Sequence, residues 1–364
     1  MAGGVVIGLF QKRNGILPDT LEEVMAKLKK DGGYPYDRMM TIAVAALLPL
    51  IFGGCLGPEA GLTGIIVALC CWIGDKLKYK RAEAQELAEA GMAATLGVVF
   101  GAPLFGFVNN FEHSHDENKR FFSPKEFSVA KTVVYAFGIV GGFSAMVGLG
   151  SLFKGEGGLP RFTMERVPCI GDWKYFLVFV AAGLLCGSIY FGFAKLAGKA
   201  ASYFAEKRVL SCVIGGLCLG CLGVWNSRAM FSGEQQMTVL SNEWAQMGTM
   251  LLVLTTVGKL LALNICLGFG WRGGNIFPVI YCGAAAGYAA VSLTGVLPVF
   301  GVAAACAALC GYIMRKPLTV VAVLFLCFPI RLVVPLVVAA YIGSIVPVPA
   351  FLSGRKQNME NAQK

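Results

Sequence analysis

The sequence predicts an all-α protein that crosses a membrane many times and contains helices that are broken inside the bilayer. Of its 364 residues, 56% are hydrophobic and only 14% are charged, whereas soluble domains are about 45–50% apolar and about 25% charged. The hydrophobic residues form long runs that are separated by short polar loops. Many runs contain or follow clusters drawn from the 47 glycines and 15 prolines, which is typical of closely packed and interrupted membrane helices.

The apolar runs follow one another along almost the whole chain. A membrane-spanning helix needs about 20 largely apolar residues, and several of these runs are shorter than that. Half-helices inside a membrane are tolerated only where the broken backbone faces protein or a watery cavity, and transporters place their ion sites there. The runs are 40–54, 60–74, 88–111, 129–153, 174–204, 209–225, 245–269, 275–293, 296–314, 317–328 and 330–347.

The first ten residues, MAGGVVIGLF, form an apolar stub. It has no basic region before it and no cleavage pattern after it, so it is neither a signal peptide nor a complete span. We expect it to be the end of a helix.

The charges and cysteines argue against other classes of protein. The net charge of +10 comes from basic loops, which favours a cytoplasmic location for those loops and gives no reason to expect a nucleic-acid partner. Most of the 13 cysteines lie inside apolar runs and are expected to be buried thiols, without disulfides, metal or cofactor. The absence of a phosphate-binding loop, a dinucleotide fingerprint or a nucleophile dyad predicts that the protein is not an enzyme. The basic loops are 27–30, 76–81, 119–131 and 355–364.

A duplicated pattern divides the chain into two halves. GCLGPEAGLTG (54–64) precedes a small-residue run that ends in GAPLFGF, and GWRGGNIFP (270–278) precedes one that ends in RKPLTVV. The spacing from Gly57 to Pro103 is 46 residues and that from Gly274 to Pro317 is 43. We expect two membrane repeats in inverted orientation, at 1–155 and 170–354, with a basic cytoplasmic tail at 355–364. Such repeats place two broken helices around one site at the membrane midplane.

Glu59 lies at the first break, directly before an apolar helix. An ionised carboxylate at the bilayer centre costs about 2.5–3.5 kcal/mol. The N-terminus of the following helix offsets this cost, because it carries unpaired N–H groups and a partial positive charge. The same groups would bind chloride when Glu59 moves away. The alternative is a helix-terminal carboxylate at the membrane surface.

The second break, GWRGGNIFP, offers N–H groups at the start of another helix. Its glycines allow an ion to approach the backbone, and Arg272 is either a nearby cation or a loop charge. The alternative is a simple loop between spans. A third motif, RNGILPDTLEEV (13–24), predicts a capped helix with acidic residues in its first turns. HSHDENK (113–119) is explained better as a polar loop than as a metal site.

These motifs resemble the CLC family of chloride channels and chloride/proton antiporters. GPEAG (57–61) is similar to the family's G-[KR]-E-G-P, NGILP (14–18) to G-S-G-I-P, and GGNIFP (273–278) to G-G-x-F-x-P. GAPLFGFVNNFE (101–112) resembles the segment N-A-P-L-x-G that ends in an acidic pair, and MFSGEQQ (230–236) falls where the family begins the linker before its second ion-binding helix. The resemblance runs in order from about residue 10 to residue 352.

The resemblance implies a role for individual residues. Glu59 matches the gating glutamate, Asn14 stands at the position of the central-site serine, and Phe351 stands at that of the tyrosine closing the inner ion site, with Tyr341 as an alternative. The antiporters' inner proton glutamate aligns with His113, or with Glu112 after a shift of one residue. The implied anion-binding residues are Asn14, Gly57, Pro58, Ala60, Gly61, Gly274, Asn275, Ile276, Phe277 and Phe351.

The resemblance also implies an assembly and a function. We expect a CLC-like protein that lacks the family's first helices, in the cell membrane, as a homodimer with one pore in each subunit. The small-residue helices around 90–106 and 301–314 offer surfaces for close packing. The expected function is glutamate-gated movement of chloride or a similar small anion, channel-like or weakly coupled to protons. The alternatives are a fully coupled chloride/proton antiporter, a degenerate non-conducting subunit, and a membrane enzyme or unrelated transporter.

Overall fold

A computed structural model describes residues 1–112, 129–153, 160–164, 166–349 and 351–352. These residues form an all-helical structure whose helices follow the predicted apolar runs. The helices are α1 (Ala2–Asn14), α2 (Leu21–Asp31), α3 (Met39–Ile51), α4 (Glu59–Lys76), α5 (Arg81–Phe100), α6 (Pro103–Phe111), α7 (Val129–Phe153), α8 (Ile170–Trp173), α9 (Phe176–Ser202), α10 (Arg208–Trp225), α11 (Glu234–Glu243), α12 (Thr249–Gly268), α13 (Ile276–Thr294), α14 (Pro298–Met314), α15 (Pro317–Leu324) and α16 (Val333–Ile345).

Five of the described helices are long and apolar enough to cross a membrane, and three shorter apolar helices accompany them. The five segments are Thr132–Ser151, Ile170–Ser202, Arg208–Trp225, Thr249–Gly268 and Ile276–Thr294. The chain is therefore a multi-pass membrane protein, as the composition predicts.

A left-handed residue followed two positions later by proline interrupts the helices at equivalent places in both halves. The apolar run 88–111 is two helices, because Gly101 adopts a left-handed conformation with φ 62° and Pro103 begins α6. In the second half, Arg315 ends α14 with φ 58° and Pro317 begins α15. Proline is favoured in the first turn of a helix, where its missing N–H would have no partner.

The predicted capped helix after NGILP is α2, and its cap is confirmed. The Thr20 hydroxyl accepts a hydrogen bond from the Glu23 N–H, and the Glu23 carboxylate accepts one from the Thr20 N–H. This reciprocal pair satisfies two of the unpaired N–H groups at the helix start.

The apolar stub at the N-terminus belongs to α1, which packs against α10. A Cβ atom at Gly4 would lie 2.4 Å from the Cys212 carbonyl oxygen, and one at Gly8 would lie 2.7 Å from Val209 Cα. Glycine at these two positions allows the two helix backbones to touch.

The most deeply buried helices are α13 and α14, which pack on each other and on α9, α12 and α16. A Cβ atom at Gly287 would lie 2.6 Å from Val302 Cα, so small residues bring the two helices together. The expectation that 301–314 offers a surface to a second subunit is wrong, because its residues 301–312 are buried inside the protomer. The division into repeats at 1–155 and 170–354 stays a prediction, and the tail 355–364 lies outside the described residues.

Candidate functional site

The two predicted breaks meet in the structure. The Gly57 N–H donates to the Gly274 carbonyl at 2.8 Å, and the Gly274 N–H donates to the Gly57 carbonyl at 2.9 Å. This short antiparallel bridge joins residues that are 217 positions apart. It places the N-termini of α4 and α13 side by side.

Glu59 begins α4 and extends its side chain to the start of α13. It is 2% exposed, and its Oε1 accepts a hydrogen bond from the Ile276 N–H at 2.9 Å. The backbone N–H groups of Glu59 itself and of Phe277 also lie against this carboxylate. Its Oε2 is buried and has no hydrogen-bond partner among the described residues. The carboxylate is therefore enclosed but only partly satisfied.

Two glycines make room for this carboxylate. A Cβ atom at Gly57 would lie 1.8 Å from Glu59 Oε2, and one at Gly274 would lie 1.9 Å from Glu59 Cδ. Real Cβ atoms do not approach other atoms so closely, so any side chain at either position would displace Glu59. Both positions require glycine because only a residue without a side chain leaves room for the Glu59 carboxylate.

Three residues that the resemblance assigns to anion binding have no free N–H group in the structure. The N–H groups of Gly57 and Gly274 are occupied by their mutual bridge, and Pro58 has no N–H to donate. The assignment of these three residues as anion ligands stays a prediction that their N–H groups do not support. Ala60 and Gly61 lie in the first turn of α4, whose first intrahelical hydrogen bond joins the Leu62 N–H to the Pro58 carbonyl.

Aromatic and charged residues hold the second break in place. The Phe277 ring is 1% exposed and stacks on Phe100 with 4.4 Å between ring centroids. Arg272 donates to both oxygens of Glu23 at 3.1 and 3.0 Å, which ties α2 to the second break. Arg272 is thus paired, rather than a free cation facing the site.

Glu23 lies outside the membrane-spanning helices, and its pKa is lowered from the ordinary value of 4.5. Partial burial alone would raise this pKa. The hydrogen bond from the Thr20 backbone and the charge of Arg272 outweigh burial and favour the ionised form.

No described contact joins Asn14 or Phe351 to Glu59. The Asn14 side-chain amide donates to the Phe10 carbonyl within α1 at 3.1 Å. The backbone carbonyl of Asn14 accepts a hydrogen bond from the Arg38 guanidinium. The Phe351 side chain is 71% exposed, and its carbonyl accepts from Lys195 at 2.7 Å. Their assignments as anion ligands stay predictions that no described contact supports.

Glu112 ends α6 and contacts the start of α15. It is 3% exposed, with Oε1 accepting from the Leu318 N–H at 2.8 Å and Oε2 accepting from the Thr319 N–H. The neighbouring Lys316 ammonium approaches Asn109 Oδ1 at 3.4 Å. Glu112 is therefore a buried cap at the start of α15 and lies at the end of a half-helix, as the sequence predicts. His113 and the rest of HSHDENK lie outside the described residues.

The sequence analysis missed Lys259, which lies in the middle of α12 and is 0% exposed. A signal for it was present, because it is the lone charged residue in the apolar run 245–269. An ionisable residue inside a membrane span is by default a candidate functional group.

Comparison with known proteins supports one family. A family model described as "Voltage gated chloride channel" matches residues 3–347. The chain is 28% identical over 269 residues to the "Putative ion-transport protein YfeO" of Escherichia coli O17:K52:H18, covering 70% of this chain and 58% of that protein. It is also 28% identical over 273 residues to the protein of the same name from Shigella flexneri. The chain thus spans less than two thirds of the length of these curated relatives.

Two solved structures share the fold. A slow cyanobacterial Cl⁻/H⁺ antiporter superposes with a TM-score of 0.75 at 20% identity, covering 99% of this chain and 85% of that one. A CLC-type fluoride/proton antiporter superposes with a TM-score of 0.66 at 17% identity, covering 95% of this chain and 93% of that one.

Proposed function

Because the chain belongs to the voltage-gated chloride channel family, we propose that it moves chloride or a similar small anion across the cell membrane, with Glu59 as the gate. The family contains channels and transporters rather than enzymes. The observation that carries the proposal is the buried Glu59 carboxylate, which takes a hydrogen bond from the Ile276 N–H and leaves Oε2 without a described partner.

The chemistry of the gate follows from competition between two anions. A carboxylate and a halide both bind backbone N–H groups at a helix N-terminus. When Glu59 occupies the start of α13, the path is blocked; when it is protonated or displaced, an anion takes its place at Asn275, Ile276 and Phe277 and at the first turn of α4. Ala60 and Gly61 supply N–H groups on that side. The solved relatives carry chloride or fluoride by their titles, so both anions are candidates.

The test is anion efflux from liposomes that contain the purified protein. The wild type is expected to release chloride with a rate that rises as pH falls, and Glu59→Ala is expected to release it with little pH dependence. Fluoride efflux in parallel identifies the preferred anion. An unaltered pH profile in Glu59→Ala, with flux present, contradicts the gate assignment. A lack of both fluxes in both proteins contradicts transport and favours a non-conducting subunit.

Proton coupling is proposed to be weak. Both Glu112 oxygens are engaged by N–H groups of α15, which opposes its use as an inner proton carrier, whereas both solved relatives are proton antiporters by their titles. An imposed chloride gradient across proteoliposomes tests this. Uphill proton movement that is abolished by Glu112→Gln, but not by His113→Ala, supports full antiport and overturns weak coupling.

The proposed assembly is a homodimer with one pore in each subunit. It rests on the family resemblance, and mass photometry in detergent tests it. A monomer alone contradicts it.

A further inference from the structure

A buried positive charge lies close to the site but outside the residues that form it. Lys259 is near the middle of α12, a 20-residue helix that is apolar enough to span the membrane. Its side chain is 0% exposed. A charged side chain at such a depth is costly and is retained where it pairs or serves a function.

The contacts of Lys259 favour its protonated form. Its Nζ lies 3.0–3.1 Å from the carbonyl oxygens of Arg228, Met230 and Phe231 and 2.9 Å from Gln236 Oε1. All four partners are acceptors, and an ammonium group has three protons to donate and no lone pair to fill. The ammonium also lies 4.5 Å from the centroid of the Tyr281 ring, where the negative face of an aromatic ring attracts a cation.

These contacts solvate the charge without cancelling it. Three carbonyls, one amide oxygen and one aromatic ring are neutral, and no carboxylate is among the described contacts of Lys259. Arg272 differs, because its charge is opposed by Glu23 at 3.0 Å. Lys259 therefore carries a positive charge that none of its described contacts neutralises, while the carboxylate of Glu234 at the start of α11 acts on Glu59 with the opposite sign.

This charge is close to both breaks. Tyr281 is five residues after Ile276 in α13, and a helix rises 1.5 Å per residue, so the ammonium is on the order of 10 Å from the Ile276 N–H. The Lys259 carbonyl accepts a contact from the Cys55 thiol at 3.6 Å, and Cys55 is two residues before Gly57. Phe231, a Lys259 partner, donates its N–H to the Gly53 carbonyl at 3.3 Å.

We propose that Lys259 is a fixed positive charge that raises the affinity of the path beside Glu59 for anions. The motif GPEAG contains no basic residue, and Lys259 supplies from α12 the charge that this motif lacks. At a separation on the order of 10 Å and an effective dielectric constant of about 20, one unit charge changes anion affinity about tenfold. The inference rests on the proposed function, because it concerns the same anion path.

Four variants separate the charge from the contacts that hold it. Lys259→Met removes the charge, and Lys259→Arg keeps it. Gln236→Glu places a carboxylate of nearly the same shape against the ammonium and neutralises it, whereas Gln236→Met removes the same contact without adding charge. Each variant is purified, checked for a single gel-filtration peak and an intact thermal transition, and measured for its half-saturating chloride concentration in proteoliposomes and for chloride binding by calorimetry.

We expect Lys259→Met and Gln236→Glu to raise the half-saturating concentration about tenfold at a similar maximal rate, and Lys259→Arg and Gln236→Met to remain within about twofold of the wild type. Equal effects of Gln236→Glu and Gln236→Met would overturn the proposal in favour of a purely structural role. If Lys259→Met does not fold, the Gln236 pair still decides. If the wild type shows no chloride flux but binds chloride, and Gln236→Glu weakens that binding, the proposed function is contradicted and the role of the Lys259 charge is still supported. If the wild type does not bind chloride, both proposals are overturned.

Discussion

Glu59 and Glu112 both cap the N-terminus of a helix from the other half of the chain, but they differ in how many of their carboxylate oxygens accept hydrogen bonds. Each is a buried carboxylate of the first half that accepts hydrogen bonds from the N-terminus of a second-half helix, α13 for Glu59 and α15 for Glu112. Glu112 engages both oxygens. Glu59 has a hydrogen bond from Ile276 on Oε1, and its Oε2 has no partner among the described residues.

This difference in hydrogen bonding indicates which carboxylate is able to move. An unpaired buried polar group costs about 1–3 kcal/mol, and more when it is charged. Glu59 already has one unpaired oxygen, and an anion that took its place would again pair the N–H groups that Glu59 leaves. Glu112 would leave two N–H groups of α15 unpaired. The two carboxylates are similarly buried, at 2% and 3% exposed, but their different bonding supports the proposed gate at Glu59 and favours a fixed link between half-helices at Glu112.

The largest effect is expected from closing the space that Glu59 uses. Gly274→Ala places a Cβ atom 1.9 Å from Glu59 Cδ and displaces the carboxylate from α13. We expect transport to fall at least tenfold, since the new methyl group also fills the place of the anion. Efflux assays measure this. Gly220→Ala is the matched control, because a Cβ atom at Gly220 meets nothing within 4 Å, and wild-type rates in Gly274→Ala would refute the geometry.

The next effect compares the stability of the two regions directly. Glu112→Ala should destabilise the protein by about 3 kcal/mol, because the buried N–H groups of Leu318 and Thr319 lose their acceptor. Glu59→Ala should change stability by less than about 1 kcal/mol, because it also removes a half-satisfied buried charge. Thermal unfolding in detergent compares both variants with the wild type. Equal losses would show that the two carboxylates are bound alike.

The smallest effect concerns the ion pair that ties α2 to the second break. Because the pKa of Glu23 is lowered in the folded protein, the ion pair stabilises the fold fully at pH values above the ordinary pKa of 4.5. This stabilisation is lost as the pH falls through the lower pKa of the folded state. Because the Glu23 side chain is 44% exposed, Glu23→Gln should cost less than about 1 kcal/mol at neutral pH and nothing at low pH. Unfolding midpoints at both pH values, compared with Glu22→Gln, measure this. A loss that persists at low pH would contradict the ionic account.

The sequence predicted Glu59 and its helix because both are local. The order G-P-E-A-G before an uncharged run is enough to place a carboxylate at the start of a helix. The duplicated spacing pointed to the second break, with its N–H groups at 275–277, as the partner of this carboxylate from the other half. The sequence also placed Glu112 correctly at the end of a half-helix, but it did not predict the cap partners of Glu112, because they lie 206 and 207 residues away. No sequence feature near Glu112 indicates that Leu318 and Thr319 are its partners.

Several contacts of other residues could not be predicted from the sequence, because they depend on tertiary structure. Gly57 and Gly274 matched ion-binding motifs, but only the fold shows that their N–H groups bond to each other. Small residues at 301–314 predicted a close-packing surface correctly, and only burial shows that the surface faces the same protomer. Lys259 was visible as a lone charge, but its carbonyl partners at 228–231 are set by tertiary structure.

The central claim is that Glu59 and the transported anion compete for the same N–H groups, and calorimetric titration of chloride into wild type and Glu59→Gln at one neutral pH tests it most directly. Glutamine keeps the shape of the side chain and removes the charge that repels the anion. The account predicts tighter chloride binding by Glu59→Gln than by the wild type. Equal or weaker binding by Glu59→Gln, with both proteins folded, would contradict it.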